Sequence, residues 1–295
     1  MRPVLGKYGD RTAGELRAGA APLIERVDHA APSIFRPENM LREARRQKGL
    51  VAGTVPPVCI LDPDGDIVSY LRRHHAATPS RHWACYHTTM WEATAAGVHC
   101  GVIGHVVGGS FSVMVAEQLF ASGCELLIGI ASAGQITAIG PPPYHILIER
   151  ALRDEGTSYH YLPPSAYVEA DPSLIRLVVQ AIGSSGHIVH RGATWTTDAP
   201  FRETGNTIAL RRREGILAVE MEAAALYAFA AACARPVICL AHVSNQLGCI
   251  EGDFEKGEDN GARDSFDLVR AIATAWMPGT RAIDRLRVSA AAAAG

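Results

Sequence analysis

Ala218-Val219-Glu220-Met221-Glu222-Ala223-Ala224-Ala225-Leu226-Tyr227 sets two carboxylates either side of a methionine, at the point where one apolar run gives way to another. Residues 215–221 read as a strand and residues 222–234 as an alanine-rich helix, so the carboxylates fall at a strand-to-helix turn. Taking a carboxylate out of water costs several kcal/mol unless a partner compensates, so acids at such a place need a reason. Glu222 admits two. It is either a first-turn acid beside the positive end of a helix, worth roughly 0.3–1 kcal/mol, or a group kept for chemistry.

Working outward, strand, Gly/Ser turn and helix recur. Residues 58–61 read as a strand running into the turn Asp62-Pro63-Asp64-Gly65-Asp66, and residues 99–107 as a strand that stops at Gly108-Gly109-Ser110. A helix over 111–122 follows, with Ser110 as its N-cap. Residues 125–131 form a buried strand ending in Ser132-Ala133-Gly134, and 145–153 a strand edge or a short helix. A helix over 172–182 and strands over 188–194 and 236–243 complete the reading. This alternation predicts an α/β fold, a three-layer α/β/α sandwich around a mostly parallel, mixed sheet. Ligands of such sheets sit beyond the carboxyl ends of the strands, so the turns there are where chemistry is expected.

Three segments are expected along the chain. Residues 1–50 form a helical extension, with helices over 13–27 and 37–48, either packed on the main domain or serving as an oligomer arm. Residues 51–287 form the catalytic domain, and residues 288–295 a frayed tail of low complexity.

The net charge of −2 argues against a nucleic-acid surface, which carries a basic excess. No apolar stretch approaches the roughly 18 uncharged residues of a membrane span, and the first residues lack a signal peptide's apolar core. A cytoplasmic location is expected. The seven cysteines are odd in number and scattered without a Cys-x-x-Cys pair, which suits buried free thiols in a reducing compartment. Adjacent His74 and His75 point different ways on any regular element, and no metal site is expected.

The string from Ala218 to Tyr227 resembles the Val-Glu-Met-Glu-Ala-Ala signature of the nucleoside phosphorylase and uridine phosphorylase family, which includes related nucleosidases. The resemblance extends from about Val58 to Gly248. It implies that Glu222 accepts hydrogen bonds from ribose hydroxyls, that Met221 packs on the sugar and that Glu220 is a helper carboxylate near it. Breaking an N-glycosidic bond passes through a cation-like ribosyl group, which a fixed carboxylate stabilises. Thr196-Thr197-Asp198-Ala199-Pro200-Phe201-Arg202-Glu203 is similar to the segment that brings an aromatic ring over the base, which assigns Phe201 and Arg202 there. Ser244 and Asn245 fall at the base-side polar position. Hexameric family members acting on purines carry Asp where this chain has Asn245, and an amide hydrogen-bonds but delivers no proton at neutral pH. That favours a 6-oxopurine or a pyrimidine over adenosine. The resemblance also implies no cofactor, inorganic phosphate as co-substrate, and a homo-oligomer, a hexamer built as a trimer of dimers.

The phosphate position departs from the family. Its Gly-Asp-Pro-x-Arg loop has Gly65-Asp66-Ile67-Val68-Ser69 as its nearest match, with Ser69 in the arginine's place. The second arginine's slot holds Gly129. Gly65 and Ser132 remain for the phosphate, and Arg72, Arg73 and Arg81 are replacement cations, Arg81 lying where family members reach a neighbouring subunit. A dianion facing Asp62, Asp64 and Asp66 without arginines is repelled. Phosphorolysis is the leading expectation. A nucleosidase using water, with one of these aspartates activating it, and a nucleoside-binding protein without catalysis are the alternatives.

Overall fold

The computed structural model describes residues 22–24, 28–183, 186–247 and 251–293, with side chains described as far as residue 277. Its first helix, α1 (Pro37–Lys48), opens on a proline, whose missing N–H costs nothing at a helix start. It closes on Gly49 at φ +63°. Leu41 and Ala44 bury against Ala84, so this part of the extension is packed on the main domain. The expected helix over 13–27 lies almost wholly outside the described residues.

The sheet is built from β1 (Val58–Asp62), β2 (Ala77–Pro79), β3 (Met90–Ala95), β4 (Val98–Gly104), β5 (Leu126–Gln135), β6 (Tyr144–Asp154), β7 (Tyr167–Glu169), β8 (Val189–Thr197), β9 (Ile216–Glu220) and β10 (Val237–Asn245). Their order is β10-β6-β8-β9-β5-β1-β4-β3-β2, with β7 beside β6. β1 runs parallel to β4 and β5, β5 to β10, and β8 to β6 and β9. The β3–β4, β6–β10 and β5–β9 pairings are antiparallel. Because β5 pairs with both β10 and β9, one half of the sheet closes into a ring.

Helices cover both faces. α3 (Gly109–Ala121) and α6 (Ala223–Cys233) pack together on one; α2 (Asp66–Arg73), α4 (Pro172–Gly183) and α7 (Ala262–Ala293) meet on the other. The sandwich architecture is the expected one. β1 is buried along its whole length, as a strand covered on both faces must be.

Several elements differ from the sequence reading. The turn after β1 leads at once into α2, whose Ile67, Val68 and Leu71 bury together on one face. Residues 145–153 belong to an eleven-residue interior strand, β6, paired on both sides. α3 starts one residue before Ser110, which lies inside the helix; its cap is Gly108, at φ +91°. β3, α5 (Gly205–Arg213) and α7 were not read from the sequence. The residues read as a frayed tail continue α7 as far as Ala293, as their alanines, the best helix formers, allow.

Candidate active site

The strand-to-helix turn at 220–222 forms because Glu220 holds it. Its Oε2 accepts the N–H groups of Glu222 and Ala223, both at 2.7 Å, neutralising donors that the start of α6 would otherwise leave empty. Its Oε1 accepts the hydroxyls of Thr194 at 3.1 Å and Thr196 at 2.5 Å, both on β8. Burial pushes its pKa up, and these four donors oppose the push. Four donors leave it little capacity for a ligand.

Glu222 is different. It is 4% exposed, and its Oε1 accepts the Gly108 amide at 2.6 Å from the turn after β4. Its other oxygen has only a 3.3 Å contact from the Met221 amide. Burial, with Glu220 as the next contributor, pushes its carboxyl up to about 8. Two carboxylates in one dry place do not both ionise readily, and Glu220 has the donors that favour its charge. Glu222 therefore holds a proton more tightly than an ordinary carboxyl, and its anion gains most where positive charge forms beside it. Half-buried Met221 sits next to it. One small cavity of about 10 Å³, hardly room for a water, is lined by Glu222, Glu220, Pro63, Ser112 and Ala131.

β1 and β5 bring the expected anion position to the same end of the sheet. Gly65 takes φ +80°, and a Cβ there would collide with the His105 ring, so only glycine fits. Ser132 is half-buried, and its amide donates to Asp64 Oδ2 at 3.0 Å. Asp62 is buried, its Oδ2 accepting the Val68 amide at 2.9 Å; burial, opposed by that bond and reinforced by Asp66 and Asp64, pushes it up to about 7.

The nearby cation is Lys256. Its Nζ lies 2.7 Å from Asp66 Oδ2 and 3.6 Å from Asp64 Oδ2. Arg72 instead stacks over Trp91, Arg73 pairs with Asp259, and Arg81 is exposed beyond β2, three strands from β1.

On the base side, β10 shifts register against β5 between Val243 and Asn245, the kind of irregularity that re-aims a side chain. Buried Ser244 and Asn245 lie there. The Asn245 amide donates to Ala133 O at 3.4 Å and accepts the Leu247 N–H at 2.9 Å. Phe201 is 99% exposed, on a short turn at Pro200–Arg202, and Arg202 is exposed beside it. The structure thus gathers Glu220, Met221, Glu222, Gly65, Ser132, Ser244 and Asn245, and leaves Phe201, Arg202 and Arg81 outside. Gly108, Thr194, Thr196 and Lys256 were missed. Gly108 and Thr196 lay in quoted segments without a role, and Lys256 was the one cation in the acidic stretch Glu251-Gly252-Asp253-Phe254-Glu255-Lys256-Gly257.

A family model described as the phosphorylase superfamily matches residues 57–274, the stretch that holds this turn. The chain belongs to this superfamily. It is 26% identical over 215 residues to a uridine phosphorylase of Thermococcus kodakarensis, covering 63% of this chain and 75% of that one. It is 28% identical over 182 residues to a DeoD-type purine nucleoside phosphorylase of Colwellia psychrerythraea, covering 60% and 77%. In fold it is similar to a Vibrio fischeri uridine phosphorylase, with a TM-score of 0.60 at 19% identity over 75% of this chain and 91% of that one. It is equally similar to the Campylobacter jejuni 5′-methylthioadenosine/S-adenosylhomocysteine nucleosidase, with a TM-score of 0.61 at 18% identity over 74% and 98%.

Proposed function

We propose that this protein cleaves the N-glycosidic bond of a nucleoside at the Glu222 site. The observation that carries the reading is Glu222 itself, a buried carboxyl at the head of α6 with one oxygen fixed by Gly108 and the other only lightly engaged. Both curated relatives bear the names of nucleoside-cleaving enzymes. In the reaction the bond from C1′ to the base nitrogen breaks and its electron pair leaves with the base. Positive charge grows on the sugar, and a dry, preorganised carboxylate stabilises it more than it stabilises the neutral substrate. Met221 is assigned to the sugar. Asn245 and Ser244 are assigned to the base, which Asn245 binds without protonating, so the proton comes from solvent.

Of the two nucleophiles, phosphate leads on the sequence resemblance, and the geometry favours water. Ser132, whose hydroxyl the resemblance gives to phosphate, has its amide engaged by Asp64, with Asp62 and Asp66 close by. Water's oxygen then bonds to C1′ and its proton passes to Asp64. The reading keeps the expectation of a cytoplasmic homo-oligomer needing no cofactor.

Incubating the protein with inosine and with uridine, with and without phosphate, tests the reading. Base release is expected, with free pentose as the other product if water attacks and pentose 1-phosphate if phosphate does. No base from any nucleoside, with binding intact, would reject cleavage.

A further inference from the structure

Ser132, Asp64, Lys256 and Asp66 form a chain of contacts at the carboxyl ends of β1 and β5. The Ser132 N–H donates to Asp64 Oδ2 at 3.0 Å. Lys256 lies 3.6 Å from that same oxygen and 2.7 Å from Asp66 Oδ2. Asn260 donates to Asp66 Oδ1 at 3.1 Å, and Asp259 pairs with Arg73 at 3.1 Å, so the segment carrying Lys256 is tied to α2 at three places. Burial works against the charge of Lys256, but Asp66 and Asp64 more than offset it and raise its pKa, so the ammonium is present at neutral pH.

A backbone N–H and an ammonium converging on one oxygen are what an oxyanion needs. Here the oxyanion is a carboxylate of the chain itself. We propose that Asp64 is a built-in stand-in for phosphate and Lys256 the cation that holds it there, so that this pair selects water over phosphate as nucleophile. The inference rests on the cleavage reading above and goes further, since it says which residues exclude phosphate and which would bind it once the seat is vacated. Carboxylate and phosphate compete for the same donors, and two anions at one seat repel. With Asp64 in place, its carboxylate takes the proton of the water that bonds to C1′. With Asp64→Asn, the seat loses its charge while Lys256 and Ser132 stay, and a phosphate oxygen bonds to C1′ as the base departs.

Two measurements test this. Calorimetric titration with inorganic phosphate needs no nucleoside. Asp64→Asn is expected to bind phosphate about ten-fold or more tighter than wild type, and Asp64→Asn/Lys256→Met to lose that gain. Asp64→Ala carries the same expectation should the asparagine variant fold poorly, as circular dichroism would show. Product analysis with cleaved nucleoside and added phosphate should give free pentose from wild type and pentose 1-phosphate from Asp64→Asn. Wild type binding phosphate as tightly as Asp64→Asn overturns the proposal, and a double variant binding as tightly as the single one removes Lys256 from it. Failure to cleave any nucleoside rejects the cleavage reading instead, and the titration still decides who occupies the seat.

Discussion

The amide of Gly108 donates to Oε1 of Glu222 at 2.6 Å, joining the turn after β4 to the head of α6 across 114 residues of chain. The bond fixes one oxygen of the proposed sugar-gripping carboxyl on rigid backbone, while Glu220, two residues earlier, is spent on holding the turn. Adjacent acids of one motif thus have separable roles, and the predictions below separate them.

Glu222→Ala should lower kcat for base release about 10²–10³-fold, the usual effect of removing one preorganised electrostatic group. Its thermal midpoint should stay near that of wild type, because the change removes an acid that is costly to bury. Activity assays beside a melting curve check this, and normal turnover would remove Glu222 from the chemistry.

Glu220→Ala should do the reverse in emphasis. Four donors, two of them the amides of the α6 cap residue Glu222 and of Ala223 after it, lose their acceptor inside the protein. Breaking such a buried charged network costs about 3–5 kcal/mol. Urea unfolding measures it. A loss below about 1 kcal/mol would show that water replaces the carboxylate easily.

The two glycines at the start of α3 should fail for different reasons. Gly108 has open space around it but sits at φ +91° and ψ 148°, close to a region almost reserved for glycine, so Gly108→Ala pays for conformation alone, about 1–3 kcal/mol. Activity should fall with it, because its N–H moves relative to Glu222. Gly109 has ordinary backbone angles, but a Cβ there would lie 2.8 Å from that of Ala225 on α6. Gly109→Ala must push α3 from α6, costing about 1–3 kcal/mol. Paired denaturation curves measure the two costs.

Stability should decline above about pH 6.5. Burial, with Glu220 next, raises Glu222 to about 8, and burial, helped by Asp66 and Asp64, raises Asp62 to about 7, from ordinary values of 4.5 and 3.8. The folded chain holds these protons after the unfolded chain has lost them, so their stabilisation is full below the unfolded values and vanishes as pH rises through the folded ones. His145 acts oppositely: burial, then His242, lowers it from 6.5 to about 3, so the unfolded chain binds the extra proton below about 6.5. The terms oppose each other in acid, and only the acids remain from about pH 6.5 to about pH 8. Melting temperature should fall across that window, and Glu222→Gln with Asp62→Asn should flatten it. A rise there would contradict the assignment.

What the sequence made legible follows a physical line. β1, β5, β10 and α6 are runs of apolar residues bounded by Gly, Pro or charge, and α1 carries its own proline start and glycine stop, so pattern alone finds them. α2 was hidden because Asp62-Pro63-Asp64-Gly65-Asp66 reads as a turn and the helix it starts is only eight residues long. The Glu222 motif was local and therefore visible. Its partner at Gly108 and the Lys256 contact to Asp66, 190 residues apart, are made by topology, and no periodicity in a single chain announces them. Phe201 was placed from its sequence neighbours, and what lies around an exposed turn residue is set by tertiary structure.

Asn245 yields the last prediction. It follows the register shift in β10, with Nδ2 on Ala133 O and Oδ1 on the Leu247 amide. An amide at this position hydrogen-bonds a base but cannot protonate it, so bases that leave well as they are should be preferred. Inosine or uridine is therefore expected to be cleaved about ten-fold or more faster than adenosine. Asn245→Asp supplies a titratable group, and in its protonated form it can still donate to Ala133 O. The variant should narrow the preference at low pH and leave it wide at high pH, because only the acid form delivers a proton. Rate against pH for both nucleosides makes the comparison, and equal rates with adenosine and inosine in the unaltered protein would show that Asn245 does not govern base choice.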